Sequence, residues 1–230
     1  MYAGASNLSK TALLEQLLFV ASETAALASG LNRLMNSGDI PSAEVLDKFL
    51  RQDIAMAKER VDNAVEKILY YIASARMELI DYKEFFINIS LRYRDIIDKL
   101  EATTHRMLLL RRKVTDGKDE RIIKDISKLV KISEEILFTL TSSLRSLINI
   151  SEGGSSVLKS IESGVSKIKL NEKTADEIYR QVFERLLDTF GDSMTVYVLY
   201  REVIDRIEEV IDESVDQATD ILILARSLAS

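Results

Sequence analysis

Long stretches of helical periodicity, with few residues able to interrupt them, constrain this chain more than any other feature. Apolar residues recur every three or four positions over most of the 230 residues, which include one proline and eight glycines. Proline is tolerated only in the first turn of a helix and glycine weakens a helix interior, so their scarcity favours long helices. Because strand signals are also nearly absent, the chain is predicted to be all-α.

Six helices follow from the apolar stripes and the turn signals. The predicted bounds are Ser9–Met35, Pro41–Ala75, Asp81–Lys113, Asp119–Ile150, a fifth helix from the loop Gly153–Ser156 to Phe190, and a sixth capped by Asp192 or Ser193. Pro41 is placed in the first turn of its helix, and Asp81 and Glu84 have capping-box spacing. Asp116–Gly117 is predicted to be a turn.

The lengths of these helices and of the turns between them predict how the helices pack. A helix of about 30 residues is about 45 Å long. Long helices joined by short turns are antiparallel neighbours, which indicates a bundle. A coiled coil is the alternative interpretation of such periodicity, but the short turns favour packing within one chain.

The chain is predicted to be internally duplicated, with one three-helix repeat in residues 1–117 and another in residues 118–230. Each half has a helix with an internal aspartate, Asp62 or Asp176, followed by a helix with acidic residues three or four positions apart. The period is too long for a solenoid. Two pseudo-repeated three-helix bundles, together forming one compact domain, are the predicted architecture.

The last helix carries an unusual run of acidic residues without a basic residue between Ile207 and Ala225. The six acids are Glu208, Glu209, Asp212, Glu213, Asp216 and Asp220. Like charges one turn apart destabilise a helix by a few tenths of a kcal/mol per pair, so water, basic side chains of another helix or bound cations must offset them. Projected at about 100° per residue, Asp205, Glu209, Asp216 and Asp220 lie opposite the apolar face. Glu208 and Asp212 lie at its border.

Two carboxylate pairs with i,i+4 spacing make bound cations a specific hypothesis. Glu172 and Asp176 form one pair on the fifth helix, and Glu208 and Asp212 form another on the sixth. Carboxylate clusters suit hard cations such as Mg²⁺ and Mn²⁺, and also iron. The competing interpretation is a solvated charged face, which is the more common origin of any single pair.

The only histidine, His105, has i,i+4 spacing to Glu101 and could pair with it on a metal. A ferritin-like di-iron site would instead need Glu-x-x-His twice. His105 is therefore predicted to lie at the surface or at the edge of the core.

Composition and missing motifs exclude several functional classes. There is no cysteine, and the net charge of −6 disfavours nucleic acid as the main partner. No nucleophile elbow, Ser–His–Asp arrangement or phosphate-binding glycine loop is present, so the chain is predicted not to be an enzyme. No secretory leader or membrane-spanning segment is expected, and a cytoplasmic location follows by default.

Two segments of the second half resemble the PhoU-like family, in particular the branch described as phosphate transport regulators. The first is Glu172-Lys-Thr-Ala-Asp176-Glu-Ile-Tyr-Arg180, and the second runs from Tyr200 to Leu222. The resemblance extends more weakly over the whole chain. It implies duplicated three-helix bundles whose acidic motifs bind multinuclear metal clusters, often iron, on the bundle face.

The resemblance carries over unevenly to individual residues. In the second half it implies five metal ligands, Glu172, Asp176, Glu208, Asp212 and Asp216. In the first half Asp62, Asp95, Asp98 and Glu101 match, but Lys58 stands where an acid is expected. Because a lysine inside a cation site repels the cation, the first half is expected to have lost its metal cluster.

The expected function is that of a non-enzymatic regulator of phosphate transport. It would bind a phosphate permease or other membrane-transport protein from the cytoplasm, peripherally at the membrane, and hold iron, manganese or magnesium ions on its acidic helix faces. A homo-oligomer is left open. The alternatives are a metal-free helical scaffold and, with least support, a carboxylate-metal enzyme such as a phosphatase.

Overall fold

Helices make up nearly all of the described part of the chain. The computed structural model describes residues 3–35, 39–74, 82–113 and 119–229. Its helices are α1 (Ala3–Met35), α2 (Ala43–Lys48), α3 (Ala55–Ser74), α4 (Lys83–Lys113), α5 (Glu120–Ile148), α6 (Ile150–Phe190) and α7 (Met194–Ala229). A π-helical segment, Phe49–Ile54, joins α2 to α3 without leaving helical geometry. Residues 43–74 therefore form one rod, and the prediction of an all-α chain with six long helices is confirmed.

Most predicted helix ends agree with the structure. The predicted end at Phe190 is confirmed, and α4 is helical up to Lys113, after which the described residues resume at Asp119. The fourth predicted helix, which was expected to start at Asp119, begins at Glu120, and Asp119 is its N-cap, since its side chain accepts a hydrogen bond from the backbone N–H of Arg121. The proposed capping box at Asp81 and the Asp116–Gly117 turn lie outside the described residues.

The placement of Pro41 inside the first helical turn is wrong. The helix begins at Ala43, and Ser42 is its N-cap, with its side chain accepting from the N–H of Val45. Serine at this position satisfies an N–H that has no partner within the helix, which proline cannot do. Pro41 therefore precedes the helix.

The connection between α5 and α6 lies earlier than predicted. Asn149 leaves helical geometry (φ −96°, ψ 14°), and the last non-helical residue is Gly154 (φ 44°, ψ −118°). The predicted loop at 153–156 is therefore wrong beyond Gly154, because Ser155 and Ser156 are already helical. A positive φ costs glycine little because it has no Cβ, which explains why the bend ends at this residue.

Helices α1 and α5 are antiparallel, and so are α4 and α7. Thr141 on α5 bonds to Ala21 on α1, whereas Glu134 bonds to Asn32, so residue numbers run in opposite directions. Ion pairs from α4 to α7 reverse in the same way, from Arg92 with Glu213 to Arg106 with Glu202.

A single apolar core runs through the bundle. Every residue of the predicted apolar face of the last helix is buried: Tyr200, Val203, Ile207, Val210, Ile211, Ser214, Ala218, Ile221 and Ala225. The packing of α1 on α5 and of α4 on α7 crosses the proposed boundary at residue 117. The division into two repeats stays a prediction.

Helix α1 is the most apolar helix by composition. Its segment Lys10–Met35 is long and apolar enough to cross a membrane, although half of its most apolar window is buried within the bundle. A core helix of a bundle meets the same criterion, so the expected absence of a membrane span stays a prediction.

Candidate functional site

Contacts between α6 and α7 bring together part of the predicted metal site. The Tyr179 hydroxyl donates to Asp205 Oδ1 at 2.9 Å, and Arg226 Nη2 donates to Glu162 Oε1 at 2.8 Å. This antiparallel register places Asp176 on α6 against the turn of α7 that carries Glu208 and Asp212. These three side chains, Asp176, Glu208 and Asp212, are called the acidic cluster below.

The carboxyl groups of the acidic cluster disfavour one another's charged forms. The pKa of Glu208 is raised from 4.5 to about 7, first by burial and then by the negative charges of Asp212 and Asp176. The pKa of Asp212 is also raised, first by burial and then by Asp176, although its hydrogen bond with Glu208 acts in the opposite direction. The cluster therefore favours bound protons or cations.

The other two predicted ligands lie outside this cluster. Asp216 accepts from Arg92 Nη1 at 3.1 Å, and its side chain is 67% exposed. Glu172 makes no hydrogen bond or ion pair within the described residues. Asp176 itself is 3.4 Å from Arg180, an exposed cation one turn along α6.

The described side chains do not form a complete set of metal ligands. Across residues 3–35, 39–74, 82–113 and 119–229, no three carboxylate or imidazole groups come close enough together to hold a metal ion. The assignment of the five ligands stays a prediction. The structure supports it with the unbalanced charge of three of them, not with converging oxygens.

Two basic side chains of α4 neutralise three other acids of the run on α7, Glu213, Asp216 and Asp220. Arg92 binds Glu213 at 2.5 Å and Asp220 at 3.1 Å, in addition to Asp216, and Lys99 binds Glu213 at 2.8 Å. Burial would raise the pKa of Glu213, but the hydrogen bonds from Lys99 and Arg92 outweigh it and lower that pKa. Helix α4 therefore supplies positive charge that offsets part of the repulsion among the acids of α7.

These contacts correct the predicted position of Asp220. Its side chain is 17% exposed and turned toward Arg92, although it was predicted to lie opposite the core. The reason is that α7 packs against α4, α5 and α6, so little of its surface faces solvent. Sequence reasoning missed Arg92 and Lys99, although their seven-residue spacing, which places them on one face of α4, was a usable signal.

In the first half a lysine binds the acids that resemble metal ligands. Lys58 Nζ lies 2.7 Å from Asp98 Oδ1 and 2.7 Å from Glu101 Oε2. The hydrogen bonds that Lys58 donates to these two carboxylates raise its pKa, so its ammonium group stays charged. Asp62 and Asp95 make no ion pair in the described part of the chain. The chain's own cation thus lies where the resemblance would put a metal.

His105 lies on the exposed side of α4, as predicted, and makes no hydrogen bond within the described residues. It lines a cavity of about 670 Å³ between α4 and the rod 43–74. Arginines and carboxylates line this cavity together. Among them, Arg51 and Arg112 each form an ion pair with Asp47. The cavity has no dominant charge, and His105 has no nucleophile hydrogen-bonded to it.

Comparison with known proteins identifies the fold. The sequence matches no protein-family model and no curated protein. Among solved structures, a PhoU-like protein from Shewanella oneidensis MR-1 superposes with a TM-score of 0.76 at 12% sequence identity. The match covers 93% of this chain and 99% of that chain. The chain therefore has a PhoU-like fold, and the resemblance read from the sequence is confirmed at that level.

Proposed function

We propose that this protein is a non-enzymatic regulator of phosphate transport that binds a phosphate permease or another membrane-transport protein from the cytoplasmic side. The observation that carries this proposal is the PhoU-like fold, shared over nearly the full length of both chains. The exposed His105, which has no partner for general-base chemistry in the described residues, favours a regulator over a phosphatase.

Phosphate uptake tests the regulatory role directly. Cells that lack the gene should show an altered rate of uptake of radiolabelled phosphate, and the rate should return to normal when the gene is restored. An unchanged rate at both low and high external phosphate would contradict the proposal. Hydrolysis of a phosphate ester by the purified protein with added metals would favour an enzyme instead.

The acidic cluster is proposed as the place where a metal ion binds. Asp176, Glu208 and Asp212 would hold it, and their oxygens suit magnesium, manganese or iron. The ion would supply the positive charge that no basic side chain among the described residues supplies to Glu208. Glu172 and Asp216 would complete the ligand set implied by the family resemblance.

The alternative is a metal-free scaffold whose acidic faces contact a partner. It is favoured by the basic side chains already placed among the acids, Arg92 beside those of α7 and Lys58 beside those of α4. Under this alternative the acidic cluster would attract a basic segment of the transporter. This alternative predicts that removing acids from the cluster leaves stability unchanged or raises it, because repulsion is relieved, and that added metal does not change stability.

Thermal melting with and without metal separates the two mechanisms. The protein is purified without chelator, assayed for bound metal, and then melted with Mg²⁺, Mn²⁺ or Fe³⁺. The metal mechanism predicts stabilisation that the double substitution Glu172→Ala and Asp212→Ala removes. The scaffold predicts no response to metal and unchanged or higher stability in the double variant. Asp188→Ala, which removes an exposed acid elsewhere on α6, is the matched control.

A further inference from the structure

One long face of α1 is turned away from the bundle. Its side chains recur at alternating intervals of four and three residues, which keeps them on one side of the helix: Glu15, Phe19, Ser22, Ala26, Ser29 and Arg33. These six residues are called the α1 face. Phe19 is 40% exposed on this face, and Phe138 on the neighbouring helix α5 is 50% exposed. Between the two helices lies a groove of about 510 Å³ lined by small side chains of both helices and by Phe138, Arg33 and Arg145.

The charges of the α1 face lie only at its two ends. Glu15 and Arg33 are separated by about 27 Å along the helix axis. Neither makes an ion pair within the described residues, and between them the face carries no charge. The nearby Glu23 belongs to the side of α1 that meets α3, where it binds Arg60 at 2.6 Å. Along α1 the strip between Glu15 and Arg33 is therefore uncharged, and Arg145 of α5 adds a second cation to the adjoining groove.

We propose that the α1 face binds the α1 face of a second copy of this chain, with the two helices antiparallel. A two-fold axis level with residue 24 makes the sequence of the face complementary to itself. Glu15 then lies level with Arg33 of the second copy, Phe19 with Ser29, and Ser22 with Ala26. Each pair occurs twice, as an isologous interface requires.

Size and shape complementarity support the same arrangement. Opposing serine and alanine side chains at the centre allow two helices to approach closely, and each phenylalanine has a small residue opposite it. A stable interface covers roughly 800 Å² on each partner, more than one helix face offers. The exposed row of α5 that includes Phe138 and Ser142 lies alongside α1 and widens the surface.

Charge reversal combined with analytical ultracentrifugation of the full chain tests this interface. The wild type should sediment as a dimer at micromolar concentration. Ala26→Arg should give a monomer, because it places two cations at the two-fold axis. Glu15→Arg alone and Arg33→Glu alone should each raise the dissociation constant at least about fivefold. The double reversal of Glu15 and Arg33 should restore the wild-type value, since the new charges again meet opposite charges.

Lys169→Glu is the matched control, because it changes the same charge at an exposed position on α6. It should leave the dissociation constant unchanged. A wild type that stays monomeric at 100 µM, or a dimer that Ala26→Arg leaves intact, would overturn the proposal. So would failure of the double reversal to restore dimerisation, and so would a monomer that sediments instead with vesicles of neutral phospholipid. If Ala26→Arg loses its helical circular dichroism, the charge-reversal series decides the question alone.

Discussion

Replacing Glu208 with glutamine should stabilise the protein at alkaline pH and have little effect at acidic pH. The pKa of Glu208 is raised to about 7 by burial and by its acidic neighbours, so the folded state holds this proton more tightly than the unfolded state does. Stability is therefore lost as pH rises from about 4.5 to about 7, and the loss is complete above that range. Glutamine has no charge to bury, so the variant avoids this loss.

The size of the gain follows from the pKa shift. A rise from 4.5 to about 7 corresponds to at most about 3.4 kcal/mol. Because Glu208 is only partly buried, screening by solvent reduces this to roughly 1–2 kcal/mol. For a chain of this length that is about 3–6 °C in melting temperature.

Urea unfolding at pH 5 and pH 8 measures the effect. The variant Glu208→Gln should exceed the wild type by roughly 1–2 kcal/mol at pH 8 and by much less at pH 5. Glu177→Gln removes an exposed, unpaired carboxylate on the same helix pair and should show no such difference. A gain that is equal at both pH values, or absent at pH 8, would show that Glu208 is not electrostatically strained.

Three further substitutions test other parts of the structure. Arg92→Gln should lower the free energy of unfolding in urea by about 2 kcal/mol, because three carboxylates lose their shared cation. Lys58→Glu should cost about 1 kcal/mol without metal, and millimolar Mn²⁺ should recover that loss in thermal melts. Gly154→Ala should cost about 1–2 kcal/mol in urea unfolding, since φ is 44° although the space around it is open.

Each of these has a control and a contrary outcome. Arg201→Gln, which breaks an exposed pair within α7, should cost less than Arg92→Gln; equal costs would mean that Arg92 is not a shared cation. Lys58→Gln should destabilise without recovery by Mn²⁺, and recovery there would show that the metal acts elsewhere. A neutral Gly154→Ala would mean that α6 continues straight through this residue.

The fold was predictable because it depends on periodicity, which survives in a single sequence. The apolar stripe from Tyr200 to Ala225 identified a buried helix face, and the scarcity of proline and glycine gave the helix lengths. The π-helical segment Phe49–Ile54 was not predicted, because its sequence carries ordinary helical periodicity. The start of α2 was misplaced because Ser42 caps it more effectively than Pro41 could begin it.

The candidate site was less predictable because it depends on pairing between helices. The acidic run on α7 showed that compensation was needed, but sequence spacing cannot say which helix supplies it. Arg92 pairs with Asp216 and Asp220, whereas Glu208 has no basic partner in the described part of the chain. Acids in similar sequence surroundings on α7 thus have opposite electrostatic environments, and only the packing of α4 against α7 distinguishes them.

Titration of the acidic cluster by NMR, with carbon-13 at the side-chain carboxyls, measures the unbalanced charge itself. Without metal the Glu208 carboxyl should titrate near 7, well above its ordinary 4.5. Adding Mg²⁺ should lower the apparent pKa of both Glu208 and Asp212, because a bound cation favours their charged forms. Titration of Glu208 near 4.5, unchanged by Mg²⁺, would contradict both the electrostatic account of the site and its proposed role in binding a cation.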